Sequence, residues 1–144
     1  GAPHRRLLLS IGKHVAREAL GAVPENVTVV ESEPQLAVLR RARLMVNHAG
    51  LGSVKECIVH GVPMLAVPLD VDQPANAARI VFHGLGMQAD VAASTADALS
   101  AQLDTLLRDD ALARRVAVMR ARFLEVERSA QGVDLIEARL ARRA

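Results

Sequence analysis

Residues 43–79, RLMVNHAGLGSVKECIVHGVPMLAVPLDVDQPANAAR, decide how the rest of the chain is read. They spell strand, Gly-rich loop, helix, strand, loop and helix. Leu44 to Asn47 form a short, largely apolar strand of the kind buried on both faces. His48 to Ser53 (HAGLGS) form the loop. Val54 to His60 carry a helix that Gly61 closes as a left-handed cap, with Pro63 just beyond it. Met64 to Val67 give a second buried strand, Pro68 to Pro74 a polar loop, and Ala75 to Phe82 a second helix.

A strand that feeds a Gly-rich loop and then a helix N-terminus is suited to holding phosphate. First-turn N–H groups have no partner inside the helix, and the dipole favours an anion there. Gly50 and Gly52 let the backbone approach a ligand closely. Ser53 adds a hydroxyl and His48 a ring N–H. Glu56, one turn into the helix, is spaced to accept hydrogen bonds from ribose hydroxyls. The spacing alone is not decisive. HAGLGS is no Walker loop, because Lys55 follows the wrong residues, and of a GxGxxG only Gly50 and Gly52 are suitably spaced. A tight strand-to-helix turn without chemistry fits the same letters.

The flanks keep the same α/β rhythm. Leu7 to Ile11 read as a buried strand, followed by a short helix around His14 to Leu20 and a β-branched strand over Asn26 to Glu31. Pro34 opens a helix at its favoured first-turn position, running to about Ala42. After the central unit, Gly86 to Asp90 offer a short strand. Ser94-Thr95 cap a helix over Ala96 to Leu107, and Asp109-Asp110 begin a long helix. Leu112, Val116, Met119, Phe123 and Val126 line one face of it at helical spacing and read as core. Gly132 breaks that helix, and Val133 to Arg142 make the last one. Strands alternating with helices imply a Rossmann-like parallel sheet flanked by helices. The His48 and Asp72 loops both follow strands, so they belong to the carboxyl edge where ligands sit in such sheets. No linker, repeat or low-complexity run divides residues 1–144, which are read as a single domain.

Composition narrows the classes. Half the 144 residues are apolar, enough for a globular core. Phe82 and Phe123 are the only aromatics, so the core is Leu, Val, Ala and Ile. A net charge of +2 and the lack of stacking aromatics argue against a nucleic-acid partner. The Arg-rich C-terminal third is interspersed with Asp and Glu, as on a solvated helix face. The single cysteine, Cys57, rules out an internal disulfide and reads as a packed helix residue. No apolar run reaches the roughly 18 residues of a transmembrane segment, and no signal peptide is visible; the expectation is a cytoplasmic protein. His4, His14, His60 and His83 lack ligand spacing and no Cys/His cluster suggests zinc, so neither metal nor cofactor is expected.

Residues 34–77 resemble the donor-binding signature of family-1 glycosyltransferases. That group includes plant secondary-metabolite glucosyltransferases, animal glucuronosyltransferases, and bacterial macrolide and carotenoid glycosyltransferases; the last look closest. The matching elements are Pro34-Gln35, His48-x-Gly50, Ser53, Glu56, Gly61-x-Pro63-Met64, Pro68 and Asp72-Gln73 with Asn76, in order and without gaps. The resemblance implies the C-terminal half of a GT-B fold, and residue roles with it. Pro34-Gln35 would lie against the nucleobase, His48, Gly50, Gly52 and Ser53 around the donor diphosphate, Glu56 on the ribose, and Asp72-Gln73 on hydroxyls of the transferred sugar. Asn76 would support that loop. The chain departs from the pattern twice. Ser32 stands where a tryptophan stacks on the base, a contact worth about 1–3 kcal/mol on nucleic-acid bases. Gly52 stands where plant members carry asparagine. Asp72 also has a plainer reading, as a helix N-cap satisfying first-turn N–H groups.

The expected function is therefore donor binding within an inverting, metal-independent glycosyltransferase that moves a hexose from a UDP- or dTDP-sugar to a small lipophilic acceptor. The helix dipole and N–H donors would offset the leaving diphosphate's charge. The resemblance places the catalytic base in an N-terminal acceptor domain, and another strand and helix ahead of Leu7, so no catalytic residue is assigned in this chain. Three other classes fit the same residues: a donor-binding subunit of a split transferase, part of a nucleotide-sugar epimerase of similar fold, and a non-catalytic interaction domain using the Leu112–Val126 stripe.

Overall fold

The structure, a computed structural model, describes residues 5–90 and 92–142. The expectation placed on His4 lies outside the described residues. The chain gathers into two compact units, residues 1–41 and 42–144, each with its own parallel sheet.

In the first unit β1 (Leu7–Ser10) pairs in parallel with β2 (Val27–Val30), Leu7 facing Val27. Asn26 Nδ2 donates to the Arg5 carbonyl and pins the start of the pair. Leu7, Leu8 and Leu9 keep about two-fifths of their surface exposed, so the expected burial of this strand is not met: β2 is its sole sheet partner among the described residues. The helix expected over His14 to Leu20 shrinks to a 3-10 turn at Arg17–Leu20 between the left-handed Gly12 and Gly21. The turn buries nothing, and so short a segment without packing does not sustain an α-helix. α1 (Gln35–Leu39) also ends early; Leu39 is its one buried residue, and Pro34 is its N-cap rather than its first turn.

The second unit runs β3 (Met45–Asn47), α2 (Leu51–His60), β4 (Met64–Ala66), α3 (Gln73–Phe82) and β5 (Gly86–Gln88). Three further helices follow: α4 (Ala96–Arg108), α5 (Asp110–Ser129) and α6 (Gln131–Ala141). The sheet order is β3-β4-β5, all parallel, with Asn47, Ala66 and Gln88 aligned at the carboxyl ends. β4 is the central strand and is wholly buried, as a continuous apolar run in mid-sheet should be. β3, at the edge, leaves Val46 half exposed.

Cys57 from α2, Met64 and Leu65 from β4, Ile80 from α3, and Leu112 and Val116 from α5 form the core. Each large side chain contributes about 1.5–3 kcal/mol by leaving water. The α5 stripe is graded: Met119 and Phe123 are half-buried and Val126 is 60% exposed. Arg120 Nε donates to the Val59 carbonyl at 2.7 Å and ties α5 to the end of α2. α2 ends as expected, at Gly61 in the left-handed region. The α5–α6 break falls at Ala130 (φ 50°), not at Gly132, which lies inside α6. Among the described residues, no helix is long and apolar enough to cross a membrane.

Candidate functional site

The Gly-rich loop is shorter than its letters suggest. Gly50 is already the N-cap of α2, so Leu51, Gly52 and Ser53 form the helix's first turn, and only His48, Ala49 and Gly50 connect it to β3. Gly50 has no side chain to cap with. The backbone N–H groups of Leu51 and Gly52 belong to the first turn and have no partner inside the helix, whose start follows the carboxyl end of β3. His48 is exposed, Ser53 and Glu56 are half-buried, and Gly52 is exposed with open space where a Cβ would go.

Ala49 makes the turn possible. It is fully buried and sits at φ 63°, a left-handed conformation that costs an alanine about 1–2 kcal/mol. Its peptide groups are held at both ends. Its N–H donates to Asn47 Oδ1 at 2.8 Å, and its carbonyl accepts from Asn76 Nδ2 at 3.0 Å. Asn47 and Asn76, each 8% exposed, are the buried polar side chains of the described core. Asn47 was not singled out from sequence; the one available signal was a polar residue closing an otherwise apolar strand.

The second loop, after β4, is closed by its own side chains. Gln73 Oε1 accepts from the backbone N–H groups of Leu69 and Asp70, at 2.9 and 3.1 Å, which leaves the amide nitrogen as the side chain's remaining donor. Val71 sits at φ 60° with its N–H donating to Asp70 Oδ1 at 2.7 Å. A β-branched residue in this region is a true outlier. Two of the three non-glycine residues with positive φ among the described residues thus lie in these two loops, a concentration of strain of the kind found at ligand sites.

Asp72 is the positional N-cap of α3, but its side chain makes no cap bond. Its carboxylate instead accepts from Asn76 Nδ2 at 2.8 Å, while its carbonyl accepts from the Asn76 N–H. The same Asn76 nitrogen therefore touches both Ala49, next to His48, and Asp72. The structure brings His48, Gly50, Gly52, Ser53, Asp72 and Gln73 to one rim of the β3-β4-β5 sheet, with Glu56 further along α2. Pro34 and Gln35 belong to the first unit, exposed and half-buried respectively at the start of α1, with Ser32 exposed before them.

Other features stand apart from this rim. Cys57 Sγ packs 3.3 Å from Met45 Sδ, and burial pushes its thiol up to about 12, with nearby Glu56 adding to the rise. A depression of about 410 Å³ lined by His83, Arg114, Arg115, Val118 and Met119 lies at the opposite end of α3. No three His, Cys, Asp or Glu side chains gather in a metal-binding group among the described residues.

Known proteins share this architecture. The family described as "Erythromycin biosynthesis protein CIII-like, C-terminal domain" matches residues 7–131. Oleandomycin glycosyltransferase of Streptomyces antibioticus is 38% identical over 138 residues, 96% of this chain and 32% of that protein. Zeaxanthin glucosyltransferase of Pantoea ananas is 35% identical over 112 residues, 78% of this chain and 26% of that protein. The crystal structure of the glycotransferase of kitacinnamycin superposes with a TM-score of 0.87 at 39% identity, covering 95% of this chain and 36% of that one. The chain spans about a third of the length of the relatives it matches.

Proposed function

The chain belongs to the Erythromycin biosynthesis protein CIII-like C-terminal domain family of GT-B glycosyltransferases, and from that membership we propose that it binds the nucleotide-sugar donor of a glycosyltransferase. In this reading the two loops at the sheet rim divide the donor between them. The His48 ring, the α2 N-terminus with Gly50 and Gly52, and Ser53 take the diphosphate; Glu56 takes the ribose; Asp72 and Gln73 take hydroxyls of the sugar. Pro34 and Gln35 are assigned to the base.

The observation that carries the reading is the shared Asn76 nitrogen, which keeps the Asp72 carboxylate beside the His48 loop. A donor has its diphosphate and its sugar adjacent, so two loops that grip them must meet at one place. The Asp72 side chain, released from capping, keeps acceptor positions for hydroxyls. Donor cleavage leaves charge on the diphosphate. N–H groups fixed at a helix N-terminus offset that charge without reorganising during the reaction. The proposed reaction is inverting, metal-independent hexosyl transfer from a UDP- or dTDP-sugar to a small lipophilic acceptor held by a separate domain, in the cytoplasm and in the service of natural-product biosynthesis. Without that domain, donor binding and no turnover is the expected property of this chain.

Calorimetric titration of the chain with UDP and with dTDP tests this. Saturable heat from at least one is expected. Both are used because Ser32 supplies no stacking surface to choose between bases. No heat from either at millimolar concentration overturns the reading.

A further inference from the structure

We propose that Asn76 is a positioning residue that couples the two halves of the donor site, so that a ligand gripping the His48 loop finds the Asp72 loop already in place for its sugar. This rests on the donor-binding reading above and adds to it a residue that touches no part of the ligand.

The geometry is specific. Asn76 is 8% exposed on the first turn of α3, and its Nδ2 donates to two acceptors from different loops: the Ala49 carbonyl at 3.0 Å and Asp72 Oδ2 at 2.8 Å. An amide nitrogen has two hydrogens, so both are spent on this bridge. Ala49 is strained (φ 63°) and has one other tie, its N–H on Asn47 Oδ1. The Asp72 carboxylate forms no cap bond that would fix it by other means. Asn76 thus bonds directly to both loops through one side chain.

A ligand that touches two loops gains from the second contact only when the loops hold their separation before it arrives; otherwise ordering the second loop consumes the gain. Removing the bridge should therefore penalise the sugar's contribution more than the diphosphate's. A residue that merely stabilises the core would weaken both in proportion.

The experiment uses the full-length protein that contains this chain. Calorimetry gives Kd for the nucleoside diphosphate and for the corresponding nucleotide-sugar, in wild type, Asn76→Ala and Asn76→Asp. The aspartate keeps the volume and replaces the donor nitrogen with an oxygen, so it breaks the bridge without leaving a cavity. In both variants the affinity for the nucleotide-sugar relative to the diphosphate should fall about tenfold, the ordinary scale of coupling between two sites. Hydrogen exchange gives a second readout. The diphosphate alone should protect the Val71 and Gln73 amides in wild type and fail to do so in the variants. Wild-type binding of both ligands with an unchanged ratio in both variants overturns this proposal and leaves donor binding intact. No wild-type binding overturns the donor reading and this one with it. Failure of both variants to fold assigns Asn76 to core stability and also overturns the proposal.

Discussion

The ring of His48 lies over Gly50: a Cβ on Gly50 would stand 2.5 Å from His48 Nε2 and 3.2 Å from Cδ2. The backbone of Gly50 is ordinary, with φ −62° and ψ 137°, so alanine meets no conformational barrier there. The missing methyl is what leaves room for the imidazole beside Gly50, the N-cap of α2.

Gly50→Ala should therefore displace the exposed His48 ring rather than unfold the chain. Thermal stability should change little, since surface side chains that move into water cost about 0.5 kcal/mol or less. Affinity for the nucleoside diphosphate should drop about tenfold, the loss of one hydrogen bond to a charged group. His48→Ala should lose the same amount, and the double variant no more. Calorimetry on the three variants checks this, and additive losses would show that the ring and the glycine act separately.

Gly86→Ala should be far more damaging. A Cβ at Gly86 would collide with the carbonyl of Met64, the backbone of a fully buried central strand that has no room to move. A cost of about 3 kcal/mol is expected, the upper range for overpacked cores. Gly52→Ala provides the contrast. Nothing lies within 4 Å of its Cβ position and its φ is not left-handed, so that change should be neutral or slightly stabilising. Urea midpoints of the two variants against wild type decide it.

Cys57 should resist alkylation in the folded protein. It is fully buried, and its thiol is pushed up to about 12, so almost no thiolate exists near neutrality. Iodoacetamide should label it only after denaturant is added, as read by mass spectrometry. Rapid labelling of the native protein would show that α2 opens locally.

Acid should loosen the start of α5. Asp109 caps that helix through the Leu112 N–H at 2.8 Å, with the Arg115 guanidinium 3.3 Å away. The Leu112 hydrogen bond first, and Arg115 with it, hold the Asp109 carboxyl below its ordinary value of 3.8 against an opposing effect of desolvation. A folded-state pKa below the unfolded one contributes stability that is fully present above the unfolded value and lost as pH falls through the folded value. The difference in Tm between wild type and Asp109→Asn should be constant near neutrality and shrink only as pH drops below 3.8. A difference that closed nearer pH 7 would point to another group.

Much of this was legible in the letters. Apolar runs at strand spacing, separated by helical stretches, located the five strands of the described residues to within one or two residues, because strand formation follows local pattern; the burial of β1, which depends on what packs against it, was not legible. Gly61 and Thr95 marked their helix ends correctly, because a left-handed cap and a hydroxyl accepting from Ala98 are short-range chemistry. Lengths of weakly packed helices were not legible. The 3-10 turn at Arg17–Leu20 and the short α1 are set by how little they bury, and the break at Ala130 follows no local residue preference.

The sequence by itself determined the α/β class and the family, since each rests on residue type and spacing along the chain. Only the tertiary structure decided that Asp72 leaves its helix uncapped and joins the His48 loop through Asn76. That choice depends on a bond between residues 27 positions apart, and on the cost of leaving a buried carbonyl unpaired at Ala49. Neither quantity exists until the two loops are folded against each other.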